Sequence, residues 1–513
     1  MAAIELALLS SDVLTSVKYL AFGAAIVLLL YSFFSSSDLR HIPTVGGSSL
    51  PLLSFKATFD FLRDGNNILQ RGYNKYEGGI FKVAFTDRWL VVVPAPKLIE
   101  EMLRLPDDTI SSVEALEELS GFKYVFGPSS TVHDPFYVEI MKRQLNKHLP
   151  NVFGDIYDEI RATFEDMVPS SSKEWIPVHA IKVIREAVAR SSNRAFVGEP
   201  LCRDRAYLEL LAQFINDLAK AMNLLACFPP MLKYIVARIA THIDCRLDEG
   251  MQILGPAVEE RKRLMAQYGE GWSDKPSDML QWVIDELESR SQPIKQVILT
   301  MLFVNFTSIN TTSNSFTHAL YYLAASPELI APLRAEIEAV IAEEGLTKNA
   351  MGKLVRVDSF LRESLRHSHM IVLPCMRKAL KPFKFSDGTH IPAGTILVSP
   401  AAPMHGDDGI HDDATAFRPW RYVPTPEFST NVAQKQLVTT GADYIPFGHG
   451  KHACPGRFFA AMEMKAMLVF VVLHYDVKFA AEGVRPQNVT SVLSTQPHEE
   501  ARVLFRNRQS SVL

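Results

Sequence analysis

Cysteine is scarce in this 513-residue chain. There are five, Cys202, Cys227, Cys245, Cys375 and Cys454, odd in number, widely spaced and without a CxxC pair. A disulfide framework is therefore not expected, and a reducing compartment fits better. Any one thiol stays free for chemistry. An excess of one charge is lacking too: the formal net charge is −4 and no long basic run occurs, so nucleic acid is not an expected partner. No internal repeat or low-complexity block is present. What is there is a composition 47% apolar and 21% charged, ordinary for a globular chain with a sizeable core.

No lysine or arginine precedes Lys18, while Glu5 and Asp12 do. A cleavable signal peptide has a basic start and a short apolar core. Here the run from Val13 to Phe34 is apolar apart from Lys18 and a few hydroxyls, close to the ~20 residues a membrane-spanning helix needs. It reads as a single-pass anchor. Arg40, His41 and Lys56 follow it, which puts the body in the cytosol by the positive-inside rule. The expected division is residues 1–36 as anchor, 37–55 as a Pro/Gly/Ser linker and 56–513 as the body. From about Pro96 to Ala325 the body is mostly helical in pattern, with breaks near Pro128, Pro150, Pro200, Pro229 and Pro276. Strand-like segments lie towards both ends, at Ile80–Val93, Phe383–Val398 and Ala501–Arg506. The predicted fold class is mainly α with a minor β part.

Against the scarcity of cysteine, one stands inside FGHGKHACPG, Phe447 to Gly456, just before an apolar helix predicted over Arg457–Tyr475. A thiolate needs its charge stabilised, and backbone N–H groups and a helix N-terminus do that. Gly448, Gly450 and Gly456 let the loop approach a flat cofactor closely. Cys454 thus reads as an anionic ligand. A zinc reading with His449 and His452 lacks the four ligands in paired spacing of a structural zinc site. Glu363 and Arg366 in SFLRESLRHS face one side of a predicted helix. Arg421 in FRPWRY is placed to join them in a structural charge network around the cysteine loop. From Gln296 to Ala325 no Asp, Glu, Lys or Arg occurs, yet Asn305–Ser315 is NFTSINTTSNS. Lipid would penalise that polar middle. The pattern predicts a buried central helix lining a polar notch over a reaction site. Arg377, His452, Lys142 and Arg143 are candidate cations for holding carboxylates.

Together these residues resemble the cytochrome P450 superfamily. The family loop Phe-x-x-Gly-x-(Arg/His)-x-Cys-x-Gly is filled by Phe447, Gly450, His452, Cys454 and Gly456. The Glu-x-x-Arg pair is filled by Glu363 and Arg366, the later arginine by Arg421, and the threonine of the central helix by Thr311. More locally the chain resembles membrane-bound fungal members, among them terpenoid and steroid oxidases. The resemblance implies the P450 fold behind one transmembrane helix, in the endoplasmic reticulum membrane. It implies haem b with Cys454 as axial ligand to iron, Phe447, Gly448, Gly450, His452, Gly456, Arg377 and Arg143 around the cofactor, and Thr311 with Asn310 in proton delivery. Electrons are expected from NADPH through cytochrome P450 reductase, and the substrate is expected to be a lipophilic terpenoid or steroid of fungal secondary metabolism. Two departures stand out. The acid that usually precedes the threonine pair is Asn310, and the Trp-x-x-x-Arg of an earlier helix is absent. The expected pocket wall is Phe303, Phe306, Thr307, Met370–Leu373 and Val489–Leu493. The alternative activity is a haem-thiolate isomerase or dehydratase acting on a hydroperoxide without reductase.

Overall fold

The computed structural model describes residues 38–508 apart from 48–50, 87, 128–132, 170, 172, 227, 229, 425–435, 482 and 491–493. The expected anchor, Val13–Phe34, lies outside the described residues. Among those described, no helix is long and apolar enough to cross a membrane.

Helices dominate. Those that build the site are α1 (Asn146–Met167), α2 (Ala180–Phe196), α3 (Ile294–Ala325), α4 (Val355–Ser368) and α5 (Arg457–His474). The uncharged stretch becomes α3, which follows the extended Pro293 and packs against α2 and α4. Its hydroxyls are satisfied locally. Thr300, Thr307, Ser313 and Thr317 donate to carbonyls three or four residues back, at 2.6–2.9 Å. Asn305 is held across the helix pair, its Oδ1 accepting from Asn193 at 2.7 Å. A buried polar helix is stable when most such groups have a partner; here the Asn314 Oδ1 is the exception.

The break expected at Pro150 does not occur, since Pro150 lies inside α1. The five residues before α1, Met141–Leu145, form a π-turn. It ends just ahead of Asn146, whose carbonyl the proline's missing N–H would have met.

The β part is a six-stranded sheet of β1 (Thr44–Val45), β2 (Phe81–Phe85), β3 (Arg88–Val92), β4 (Ile110–Ser111), β5 (Arg377–Ala379) and β6 (Ile396–Val398). Its order is β1-β2-β3-β6-β5-β4. β2 and β3 form the expected hairpin, with Phe81 opposite Val92. Both strands are almost wholly buried, as their near-continuous apolar runs require. Lys82 is buried among them. Its ammonium donates to the carbonyls of Ile42, at 2.9 Å, and Leu39, and sits over the Trp89 ring at 5.4 Å. Burial lowers its pKa to about 8. The expected C-terminal strand is Val503–Asn507, paired with Tyr475–Lys478 and Ile176–Val178.

On α5, Glu463 is fully buried. Ser191 and Ser192 of α2 donate to its Oε1 at 2.5 and 3.0 Å, while Oε2 has no partner. Burial pushes its pKa up to about 7. A carboxyl raised above its unfolded value of about 4.3 contributes stability that is full below that value. The contribution is lost as pH rises to the folded value. Stability is therefore expected to fall between about pH 4.3 and 7. Glu463→Gln should flatten that fall, on the order of 3 kcal/mol. Thermal denaturation of the holoenzyme across this range checks it; an unchanged slope would contradict the assignment.

Candidate active site

The loop Phe447–Gly456 closes on itself because Gly448 and Gly450 take φ of +66° and +73°, a region that side chains disfavour. The Cys454 N–H donates to the Phe447 carbonyl at 2.8 Å. α5 begins three residues after the cysteine. Burial raises the Cys454 pKa, opposed by the N–H groups of Gly456 and Arg457 at the sulfur and by the Arg457 charge. The pocket side of the loop opens on a cavity of about 270 Å³. Cys454, Phe447 and Gly448 line it on one side, Thr307, Thr311 and Thr312 of α3 on another, and Met370 and Ile371 after α4 on a third. No Asp, Glu, Lys or Arg is among the lining residues.

Thr311 lines the cavity and donates its hydroxyl proton to the Thr307 carbonyl at 2.7 Å. Asn310 is not among the lining residues. Its Oδ1 accepts from Asn314, one turn on, at 3.3 Å.

Behind the loop lies the charge network. Arg366 donates a bidentate pair to Glu363 at 2.8 Å each. Arg421 adds contacts at 3.0 and 3.1 Å, and the Arg418 N–H one at 2.9 Å. Glu363 and Arg366 side chains are 0% and 1% exposed. Burial alone would raise the Glu363 pKa; the hydrogen bonds from Arg366 and His367 outweigh it and hold the carboxyl well below its ordinary value. Arg366 also donates to the Ala414 carbonyl at 2.8 Å and to that of His405. The network thus ties α4 to the segment before the cysteine loop.

Several of the expected side chains lie off the cavity. His452 points away from the cavity, with Nε2 on Asp107 at 2.7 Å. Arg143 is 82% exposed and pairs with Glu139 at 3.3 Å, because Met141 and Leu145 occupy the inward face of that turn. Lys142 pairs with the same Glu139. Phe303 and Phe306 do not line the cavity but pack edge-on to Phe122, at 5.4 and 6.2 Å between ring centres. Val372 and Leu373 enter the sheet core. Val489 is exposed, and residues 491–493 lie outside the described residues. Gly450 and Gly456 stay in the loop: a Cβ on Gly450 would meet Leu103 at 3.5 Å and one on Gly456 would meet Met141 at 3.4 Å. His449, to which the sequence assigns no role, accepts or donates at Thr440 and Glu100, both 3.0 Å. It pins the loop to the helix Pro96–Arg104. Sequence reasoning missed several lining side chains, among them His369, Cys375 and His405; no spacing signals them.

The residues fit a haem. A thiol kept neutral by burial at a cavity wall ionises when a metal's charge binds it. Arg377 is buried with no carboxylate partner among the described residues; its Nη1 donates to the Met376 carbonyl at 2.8 Å. It is the one expected cation that remains suited to a haem carboxylate.

Comparison with known proteins agrees. The family model described as Cytochrome P450 matches residues 50–505. The chain is 41% identical over 494 residues to cytochrome P450 monooxygenase 151 of Postia placenta, covering 96% of this chain and 99% of that one. It is 32% identical to a P450 monooxygenase of Ganoderma lucidum, covering 94% and 95%. It is 30% identical to an ent-kaurene oxidase of Gibberella fujikuroi, covering 96% and 97%. Among solved structures, a retinoic acid-bound cyanobacterial P450 superposes with a TM-score of 0.67 at 17% identity, covering 88% of this chain and 96% of that one.

Proposed function

The chain belongs to the cytochrome P450 family of haem-thiolate monooxygenases, and from that premise we propose that it oxidises an uncharged terpenoid or steroid skeleton with electrons from NADPH through a flavoprotein reductase. The observation that supports the substrate class is the part of the cavity wall contributed by Thr307, Met370 and Ile371 and not by the cysteine loop, where no charged side chain stands and a charged substrate would lack a partner. The ent-kaurene oxidase among the relatives supports a terpenoid. The relatives' activity sets aside the reductase-independent isomerase.

Haem bound by a thiolate supplies dioxygen activation, the sulfur pushing electron density that favours O–O cleavage. In this reading Cys454 would hold the haem iron through its thiolate, and Phe447, Gly448, Gly450 and Gly456 would let the loop approach the ring. Arg377 would hold a haem carboxylate. Thr311 presents its oxygen to the cavity and passes a proton inward by turning its hydroxyl from the Thr307 carbonyl. Asn310 cannot ionise; its amide orients solvent beside the threonine. The apolar walls exclude water from the reacting centre.

We place the body at a membrane surface, that of the endoplasmic reticulum. The helix Pro230–Ala240 leaves Met231 and Ile239 each 80% exposed, with Ile235 between them, an apolar face that suits lipid contact. The test is incubation with reductase, NADPH and ¹⁸O₂ across a panel of terpenoids, steroids and fatty acids. Labelled product from neutral polycyclic lipophiles, and none without NADPH, is expected. Preference for the fatty acids would overturn the substrate class.

A further inference from the structure

Three polar side chains close a hydrogen-bonded ring between α2, α3 and the helix Arg205–Ala226. Asn193 donates to Asn305 Oδ1 at 2.7 Å, Asn305 to the Tyr207 hydroxyl at 3.3 Å, and that hydroxyl to Asn193 Oδ1 at 3.0 Å. The remaining N–H of each amide is also used. Asn193 donates to the Ala189 carbonyl at 2.8 Å and Asn305 to that of Met301 at 2.9 Å. All three residues are 0% exposed. The pattern fixes both amides, because a flip of either would set carbonyl oxygens against each other. A buried network satisfied in this way holds its elements in one arrangement.

The middle of α3 has no other tie of this kind. No charged side chain occurs from Gln296 to Ala325, and apolar contacts are non-directional, so they resist rotation of the helix weakly. Thr307, Ser308, Thr311 and Ser313 donate to carbonyls of α3 itself, and Asn314 donates to Asn310. Among the described residues from Met301 to Asn314, Asn305 alone hydrogen-bonds through its side chain to another element. At 3.6 residues per turn it stands about 160° round the helix from Thr307 and about 120° from Thr311. The ring therefore grips the helix from behind the face that lines the cavity. A hydroxyl ~4 Å from the axis moves ~1.4 Å when the helix turns by ~20°.

We propose that Asn193, Asn305 and Tyr207 are positioning residues, whose ring fixes the rotation of α3 about its axis and so aims the Thr311 hydroxyl. The inference rests on the proton-delivery role proposed above for Thr311 and adds the group that sets its aim. A misplacement of about 1 Å can cost ~100-fold in rate. Electrons that do not reach the substrate leave as hydrogen peroxide, two electrons and two protons per dioxygen. Product per NADPH therefore reads the aim.

The test measures product formed and hydrogen peroxide released per NADPH, with reductase and the lipophile that gives the most product. Tyr207→Phe deletes one oxygen and should cut product per NADPH about tenfold, with peroxide making up the difference. In a Thr311→Ala background the same change should add nothing, because the ring acts through that hydroxyl. No loss in Tyr207→Phe, or a loss that repeats in full on top of Thr311→Ala, overturns the inference and leaves Thr311 its role. Unaltered coupling in Thr311→Ala overturns both. The apolar set Asn193→Leu, Asn305→Leu and Tyr207→Phe separates aim from stability. It keeps the side-chain shapes and leaves none of the three with an unpaired polar group. Its thermal midpoint and haem per protein should match the unaltered enzyme while product per NADPH stays low. Coupling that recovers along with the midpoint would show a merely structural role and overturn the inference.

Discussion

Cys454→Ser should abolish the red-shifted absorption of the reduced carbon monoxide complex and bring turnover below detection. The substitution changes one atom, yet a serine hydroxyl stays protonated where a thiol ionises, and oxygen lacks the softness of a thiolate towards iron. The experiment is sharper than a generic ligand deletion because a second thiol lines the same cavity. Cys375 is buried there, and burial pushes its pKa up to about 11. Two backbone N–H groups and the Arg457 charge favour the anion at Cys454. At Cys375 the Arg377 charge and a single backbone N–H, from His449, do so. Cys375→Ser should therefore keep the thiolate spectrum. The reverse pattern, with the band lost in Cys375→Ser and kept in Cys454→Ser, would move the ligand.

Glu363→Gln should cost about 3–5 kcal/mol, the usual penalty for leaving a buried cation unmatched. That is a large part of a typical 5–15 kcal/mol of stability. The glutamine keeps the size but gives Arg366 and Arg421 no counter-charge, with Arg366 only 1% exposed. A fall in thermal midpoint together with poor haem retention is the expected readout. A midpoint equal to that of the unaltered protein would show that the backbone carbonyls of His405 and Ala414 suffice for Arg366. Because the Glu363 pKa is depressed, the network's contribution is complete above about pH 4.3. It is lost only as acid carries the pH below that value towards the folded pKa.

Much of this site is legible in the sequence because its chemistry is local. A cysteine between glycines ahead of a helix, a Glu-x-x-Arg turn and an uncharged helix with a polar middle each fit within one element. The expected side chains that lie off the cavity depend on rotation about an element. A π-turn at Met141–Leu145 turns Arg143 outward, and the turn Gly450–His452 hands His452 to Asp107. Phe303 and Phe306 lie on the same helix as Thr311 but meet Phe122 first. His369 and His405 were hidden for another reason. They come from separate segments, and only the folded chain stacks them.

Lys82 has a mechanical consequence. Its ammonium grips the carbonyls of Leu39 and Ile42, just ahead of β1, which itself runs parallel to β2. Among the described residues, a pull on the start of the chain meets this clasp before the β1–β2 ladder. It then loads the β1–β2 ladder along the strand axis, so its bonds share the force instead of opening one at a time. The first described residues therefore act as a strut fastened to the sheet. Any support holding the N-terminus would transmit tilt, and not merely position, to the body that carries the cavity.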